Sequence, residues 1–333
     1  MAIVGIRQLR YGVEDLAGSV RFFEDFGLRK DTERDGCTLF SAGNGATVEL
    51  CPIDHPGLPQ GDIRGAGVRE VVWGVDTAEA LESLARELGR DHAIERTADG
   101  MVRFTPFFGI PMALVQWTPA RPVASPDPVN APGLVRRLNT HRKWRRRAHP
   151  KTINHVVFRS PCYIEATAFM RERLGFRLSD IQKGFGVYLR ADGNNGHHNL
   201  LFLNANASFP GCDGTTGFDH ANFGVEDIDE LMVGVNGLLR RGWRASDIGL
   251  GRHRVDSALF YYVPCPAGGD AEYGTDSDYI DDGWVPRHFH VPLFAYAHWT
   301  HNIPHFLHAE PQWAFDYLTD DEVRTGIPAG QQD

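Results

Sequence analysis

The chain has 333 residues, of which 42% are hydrophobic and 23% charged, with a formal net charge of -9. This composition is that of a globular protein long enough for two cores, and its acidity argues against a general nucleic-acid binder. No run of about 18 apolar residues is present, which excludes a transmembrane helix. Met1 to Gly5 lacks the basic and apolar regions of a secretory signal.

The chain opens on alternating, strand-like sequence at Gly5–Tyr11. Comparable strands recur at Val68–Trp73, Ile153–Phe158 and Phe218–Phe223, which makes a weak internal repeat of four segments. Each strand runs through turn-prone or capping residues into a helical stretch: Glu14-Asp15, Val75-Asp76, Ser160-Pro161 and Glu226-Asp227. In the first helix Val20, Phe22, Phe23 and Phe26 recur at roughly helical spacing and Gly27 stops it. Gly175-Phe176-Arg177 repeats that stop in the third segment. Short strands follow each helix, so each segment reads βαβββ. One such unit cannot bury its own sheet face, so the units should pair. The expected fold is α+β, with four βαβββ modules paired into two domains, each an open barrel-like mixed sheet with helices outside.

Domain boundaries follow from composition. Residues 1–119 form the first expected domain, and a Pro-rich then basic linker covers 120–150. A second domain spans 151–292, and a tail rich in aromatics and histidines covers 293–333. The basic run Arg142-Lys143-Trp144-Arg145-Arg146-Arg147, with Arg136 and Arg137 before it, reads as a solvated segment pairing with acidic surface rather than a nucleic-acid patch. Cys37, Cys51, Cys162, Cys212 and Cys265 show no metal or redox spacing. They are expected to be free, reduced thiols in a cytoplasmic protein.

Three residues carry the chemistry. His155 lies in the third segment's first strand, His220 in the fourth's, and Glu272 in a later strand of the fourth segment. A strand histidine is more often a satisfied core or surface residue than a ligand. Glu272 resists that explanation, because an unpaired carboxylate on a half-buried strand is costly and a metal removes the cost. Two imidazoles and one carboxylate on one face of an ion form the ligand set of non-haem Fe(II) oxygenases. Overlaying the repeats sets Gln8 against His155, Glu70 against His220, and the stretch near Ala113 against Glu272. One metal site is therefore expected, in the C-terminal half.

These ligands, with Gly196-His197-His198-Asn199, Gly217-Phe218-Asp219-His220, Gly251-Arg252-His253 followed by Asp256, Phe260-Tyr261-Tyr262, Glu272-Tyr273-Gly274 and Trp284-Val285-Pro286-Arg287, resemble the vicinal-oxygen-chelate superfamily. More narrowly, the chain resembles its two-domain extradiol catechol dioxygenases. The resemblance implies His198 as the acid/base beside bound O2, and His253 and Tyr262 beside the substrate oxygens. It implies Asp256 as a carboxylate orienting one of these groups, and a contribution from Arg287. His197 is then expected at the surface. Val255 departs from the pattern, where an asparagine is common, and so puts nearby substrate contacts in question.

The implied activity is Fe(II)-dependent cleavage of a substituted catechol beside its diol, giving a hydroxymuconic semialdehyde or ketone. Mn(II) is able to substitute, and no organic cofactor or external reductant is needed. The expected partners are a catechol and O2, with self-association and neither nucleic acid nor membrane. Other readings are an isomerase, epimerase or lyase of the same superfamily, and a non-catalytic small-molecule binding protein. In the tail, His288, His290, His298, His301, His305 and His308 read as surface or lid residues. Trp284, Phe289, Phe294, Tyr296, Trp299 and Phe306 are expected to cover the site. Asp276, Asp278, Asp281 and Asp282 read as solvated turn residues rather than a calcium loop.

Overall fold

The structure is a computed structural model that describes residues 2–310 and 312–325. Residues 326–333 of the expected tail lie outside the described residues. The first four modules of secondary structure follow the βαβββ order. They run β1 (Ile3–Val13), α1 (Leu16–Phe26), β2 (Arg29–Arg34), β3 (Cys37–Ser41), β4 (Thr47–Pro52); then β5 (Gly67–Val75), α2 (Ala78–Leu88), β6 (Glu95–Arg96), β7 (Val102–Phe104), β8 (Met112–Gln116). The third is β9 (Thr152–Ser160), α3 (Tyr163–Leu174), β10 (Arg177–Gln182), β11 (Gly186–Arg190), β12 (Leu200–Asn204). The fourth is β13 (Gly217–Gly224), α4 (Ile228–Arg240), β14 (Gly251–Arg252), β15 (Leu259–Pro264), β16 (Asp270–Thr275). Three tail strands follow: β17 (Arg287–Phe289), β18 (Trp299–Thr300) and β19 (Phe315–Tyr317).

The first two modules form one mixed sheet, ordered β2-β3-β4-β1-β5-β8-β7-β6. The other two form a second, β18-β14-β15-β16-β13-β9-β12-β11-β10-β17-β19, so that tail strands cover both of its edges. In each sheet the two module-opening strands pair antiparallel at the centre and each is flanked by a parallel strand.

Helix ends follow local chemistry. Asp15 caps α1 by accepting from Gly18 N–H, and Gly27 ends it at φ 103°, a left-handed conformation that glycine adopts without steric cost. The second cap is Thr77, one residue beyond Asp76, and the third, Cys162, makes no side-chain capping bond. Asp227 caps α4 by accepting from Glu230 N–H.

The bulges are shared by the two sheets. In the second, β9 and β13 change register at Asn154 and at Asp219, so His155 and His220 each follow a bulged residue. In the first, β1 and β5 change register at Arg7 and Arg69, immediately before Gln8 and Glu70. Pairing extends the equivalence: Gln8 faces Val72 as His155 faces Asn222, and Val72 faces Ala113 as Asn222 faces Glu272. A bulge re-aims the side chain beside it, and the repeat supplies that geometry in both halves.

Cys37 and Cys51 are not free: they form a disulfide between β3 and β4, with Cα atoms 4.4 Å apart. Thr38 pairs with Leu50, which sets the two cysteines opposite each other, a register that their separation of 14 residues does not reveal. The cytoplasmic expectation loses its cysteine argument, and Cys162, Cys212 and Cys265 are the free thiols. Three residues of the basic run meet the acids at the start of α4. Lys143 pairs with Glu226 at 2.9 Å, Arg145 with Glu226 and Asp227 at 3.1 and 2.9 Å, and Arg142 with Asp229. No helix among the described residues is long and apolar enough to cross a membrane.

Candidate metal centre and its cavity

The central strands of the second sheet bring His155, His220 and Glu272 together. His155 Nε2 and His220 Nε2 are 3.3 Å apart, and Glu272 Oε2 lies 3.2 Å from the first and 3.4 Å from the second. Ligand atoms about 2.1 Å from a shared ion are separated by about 3.0 Å at right angles and about 3.4 Å at the tetrahedral angle. The observed triangle falls within that span. Glu272 is 0% exposed and neither carboxylate oxygen has a hydrogen-bond partner. A cation between the three side chains would remove the cost of that burial. The residues present therefore fit a divalent metal.

Each imidazole presents Nε2 to the centre. His220 donates its Nδ1–H to Asp219 Oδ1 at 2.7 Å, which orients the ring and leaves Nε2 bare. Burial opposes a charge on His220, yet the Asp219 hydrogen bond and Glu272 raise its pKa above the ordinary value. For Glu272, burial pushes upward, but His155, His253 and His220 reverse the effect and hold the carboxyl well below the usual range.

The centre opens into a cavity of about 480 Å³ lined by His155, His220, His198, His253, Tyr262 and Tyr188 on its polar side. Phe185, Leu201, Leu203, Phe209, Ile248 and Phe306 supply an apolar wall. His253 donates Nδ1–H to the Tyr296 carbonyl, and its Nε2 lies 3.2 Å from Tyr262 Oη. Burial, then Glu272, pushes the Tyr262 phenol well above its ordinary pKa. His198 stacks on His155 with ring centroids 4.1 Å apart. Burial, then the neighbouring imidazoles, push its pKa well below the ordinary value.

Asp256 groups with His197 and His198, its carboxylate and their ring nitrogens within 4.8 Å of one another, whereas Arg287 lies apart. Asp256 is buried but touches neither His253 nor Tyr262 by hydrogen bond; Oδ2 accepts from Ser277 Oγ at 2.9 Å and Oδ1 from Ala258 N–H at 3.2 Å. Arg287 stays outside the cavity and binds Asp180 and the Val255 carbonyl. Val255 itself lines the cavity. Asp276 and Asp282 are paired with Arg252 and Arg190, so they are not merely solvated.

His197 is the clearest correction. It is 1% exposed and bound to Asp180 at 2.7 Å, not at the surface. The His197-His198 pair precedes β12 in an irregular segment, so strand alternation does not apply to it. In the tail, His290, His298, His301, His305 and His308 are exposed, and Tyr296 and Phe306 are the tail aromatics that reach the cavity. Phe289 and Phe294 instead fill a small core with Tyr188 and Leu201. Sequence reading did not find Asp180, Asp219 or the Tyr296 carbonyl. The first and last act across long separations, and an acidic residue before a histidine is too common to be a signal.

No protein-family model matches the chain. It is 30% identical over 162 residues to metapyrocatechase 2 of Cupriavidus necator, a match covering 48% of each chain. It is 30% identical over 148 residues to an iron-dependent extradiol dioxygenase of Rhodococcus jostii, covering 40% of this chain and 47% of that one. The matched stretch thus spans about half the length of these relatives. Among solved structures, the Mn(II)-bound glyoxalase of Novosphingobium aromaticivorans superposes with a TM-score of 0.69 at 21% identity, over 94% of this chain and 96% of that one. A halotolerant catechol dioxygenase superposes with a TM-score of 0.68 at 19% identity, over 95% and 99%. The chain shares the mixed α+β fold of these two structures.

Proposed function

We propose that this chain is an Fe(II)-dependent extradiol dioxygenase that inserts both atoms of O2 into a substituted catechol beside its diol. The product would be a hydroxymuconic semialdehyde or ketone. The observation that carries the proposal is the His155, His220, Glu272 triangle opening into one cavity with His198, His253 and Tyr262. Similarity to a metapyrocatechase and to an iron-dependent extradiol dioxygenase supports it. The Mn(II) carried by a glyoxalase of the same fold supports Mn(II) as an alternative ion.

His155, His220 and Glu272 would hold the metal, which supplies charge and open positions where a catecholate and O2 meet. The chain's other groups then handle protons and water. With Nδ1–H given to the Tyr296 carbonyl, His253 has a bare Nε2 for a substrate hydroxyl proton. Tyr262 stays a phenol and donates to the same substrate oxygen or to His253 Nε2. Neutral His198 stands beside His155 as a proton carrier; its lowered pKa means that any proton it takes is readily passed on. The apolar wall excludes water and accommodates a ring substituent.

A metal-dependent isomerase or lyase on this fold would leave the His253–Tyr262 pair without a task, and a binding protein would need no ligand triangle. Anaerobic loading with Fe(II), followed by a panel of catechols and air, tests the proposal. The expected result is a yellow ring-fission product with matching O2 uptake. Bound metal without O2 consumption for any catechol would sink it. His198→Phe should keep metal and catechol binding while turnover falls by about 10²–10⁴-fold.

A further inference from the structure

Asp180, on β10, is fully buried, and its two oxygens are fully used. Oδ1 accepts from the Arg287 backbone N–H at 2.6 Å and from Arg287 Nε at 3.1 Å. Oδ2 accepts from Arg287 Nη2 at 2.5 Å and from His197 Nε2 at 2.7 Å. Parallel pairing of Asp180 with Arg287 holds this arrangement between β10 and β17. Because an ionised carboxylate only accepts, His197 must carry its hydrogen on Nε2.

The other side of His197 faces the cavity's proton carrier. His197 Nδ1 lies 3.2 Å from His198 Nδ1. In a neutral His197 that nitrogen is bare, so the bond forms only if His198 places its own hydrogen on Nδ1. His198 Nε2 is then left without hydrogen. Ser179 Oγ, donating to the His197 carbonyl at 2.5 Å, and the Trp284 ring, perpendicular to that of His197 with centroids 5.8 Å apart, keep the imidazole in place.

We propose that Asp180 and His197 are positioning residues that fix the tautomer and orientation of His198, leaving its Nε2 as the proton-accepting atom of the cavity. Arg287 acts through the same chain, which explains a tail arginine that never reaches the cavity. The catalytic consequence rests on the dioxygenase reading; the hydrogen-bond chain does not.

The test has two arms. In the metal-free protein, ¹⁵N-histidine NMR should show hydrogen on His197 Nε2 and His198 Nδ1, with His198 Nε2 bare. In Asp180→Asn, the amide oxygen is drawn to the position of Oδ1, where it meets two Arg287 donors. Its NH2 then faces His197 Nε2, and both tautomers should reverse. Hydrogen on His198 Nε2 in the unaltered protein would overturn the proposal. In the Fe(II)-loaded protein, His197→Phe should lower kcat by about 10- to 100-fold with the catechol KM changed by less than about twofold. His197→Asn, whose Oδ1 sits near the lost Nδ1 and accepts from His198, should restore most of the rate at an equal melting temperature. Full activity in His197→Phe, or no recovery in a folded His197→Asn, would also overturn it. The stated tautomers without catechol turnover by the unaltered protein would support the hydrogen-bond chain and sink the dioxygenase reading instead.

Discussion

His220 is aimed by the residue before it. The bulge at Asp219 turns the strand, and the Asp219 carboxylate then takes the ring's Nδ1–H. Removing that acceptor while keeping the shape should loosen the ring without emptying the site. Asp219→Asn is expected to weaken Fe(II) or Mn(II) binding by about 10- to 100-fold, read by metal titration. Unchanged affinity would mean that the bulge alone orients His220. His197 is buried through a partner that its own sequence neighbourhood does not show. Its type and neighbours suggest a surface residue, and its buried carboxylate partner lies 17 residues earlier, on β10.

Among the elements, α4 carries more than its own turn. Asp227 caps it through Glu230 N–H and also binds Arg145 at 2.9 Å, so one carboxylate joins the helix start to the linker. An acidic first turn also suits the positive end of the helix dipole. Asp227→Ala should cost about 1–2 kcal/mol in urea unfolding, above the usual cap loss of about 1 kcal/mol if the linker contact adds to it. A loss under about 0.5 kcal/mol would show that the linker pairs are ornamental. The charge run in 142–147 and the acids at 226–230 are both plain in the sequence; that they meet is not.

At the scale of the molecule, the two halves share one core. Phe26, at the end of α1, stacks on Tyr273 with ring centroids 4.0 Å apart, and the Tyr273 hydroxyl donates to the Phe26 carbonyl. Phe23 and Phe26 also pack on Phe223 of β13. Since Tyr273 follows Glu272 on β16, the half without the metal triad supports the strand that bears the carboxylate. Phe26→Ala should destabilise the protein by about 3–5 kcal/mol, measured by chemical unfolding. The first half has its own answer to a buried charge: Glu70, equivalent to His220, is held by Arg10 at 2.8 Å and Arg103 at 2.9 Å.

The sequence by itself determined the modules and the ligand chemistry. Strand alternation, helical spacing and glycine stops are local signals, and His155, His220 and Glu272 are recognisable by type and by strand position. The repeat carried this further, since Gln8 and Ala113 stand where the second half has His155 and Glu272. Only the tertiary structure decided which nitrogens face the centre, which wall closes the cavity, and which carboxylates hold the rings. It also decided that Cys37 meets Cys51 and that Asp180 lies under His197. Each of these depends on register between strands distant in the chain, where a shift of one residue moves a side chain to the opposite face. No local pattern encodes that register.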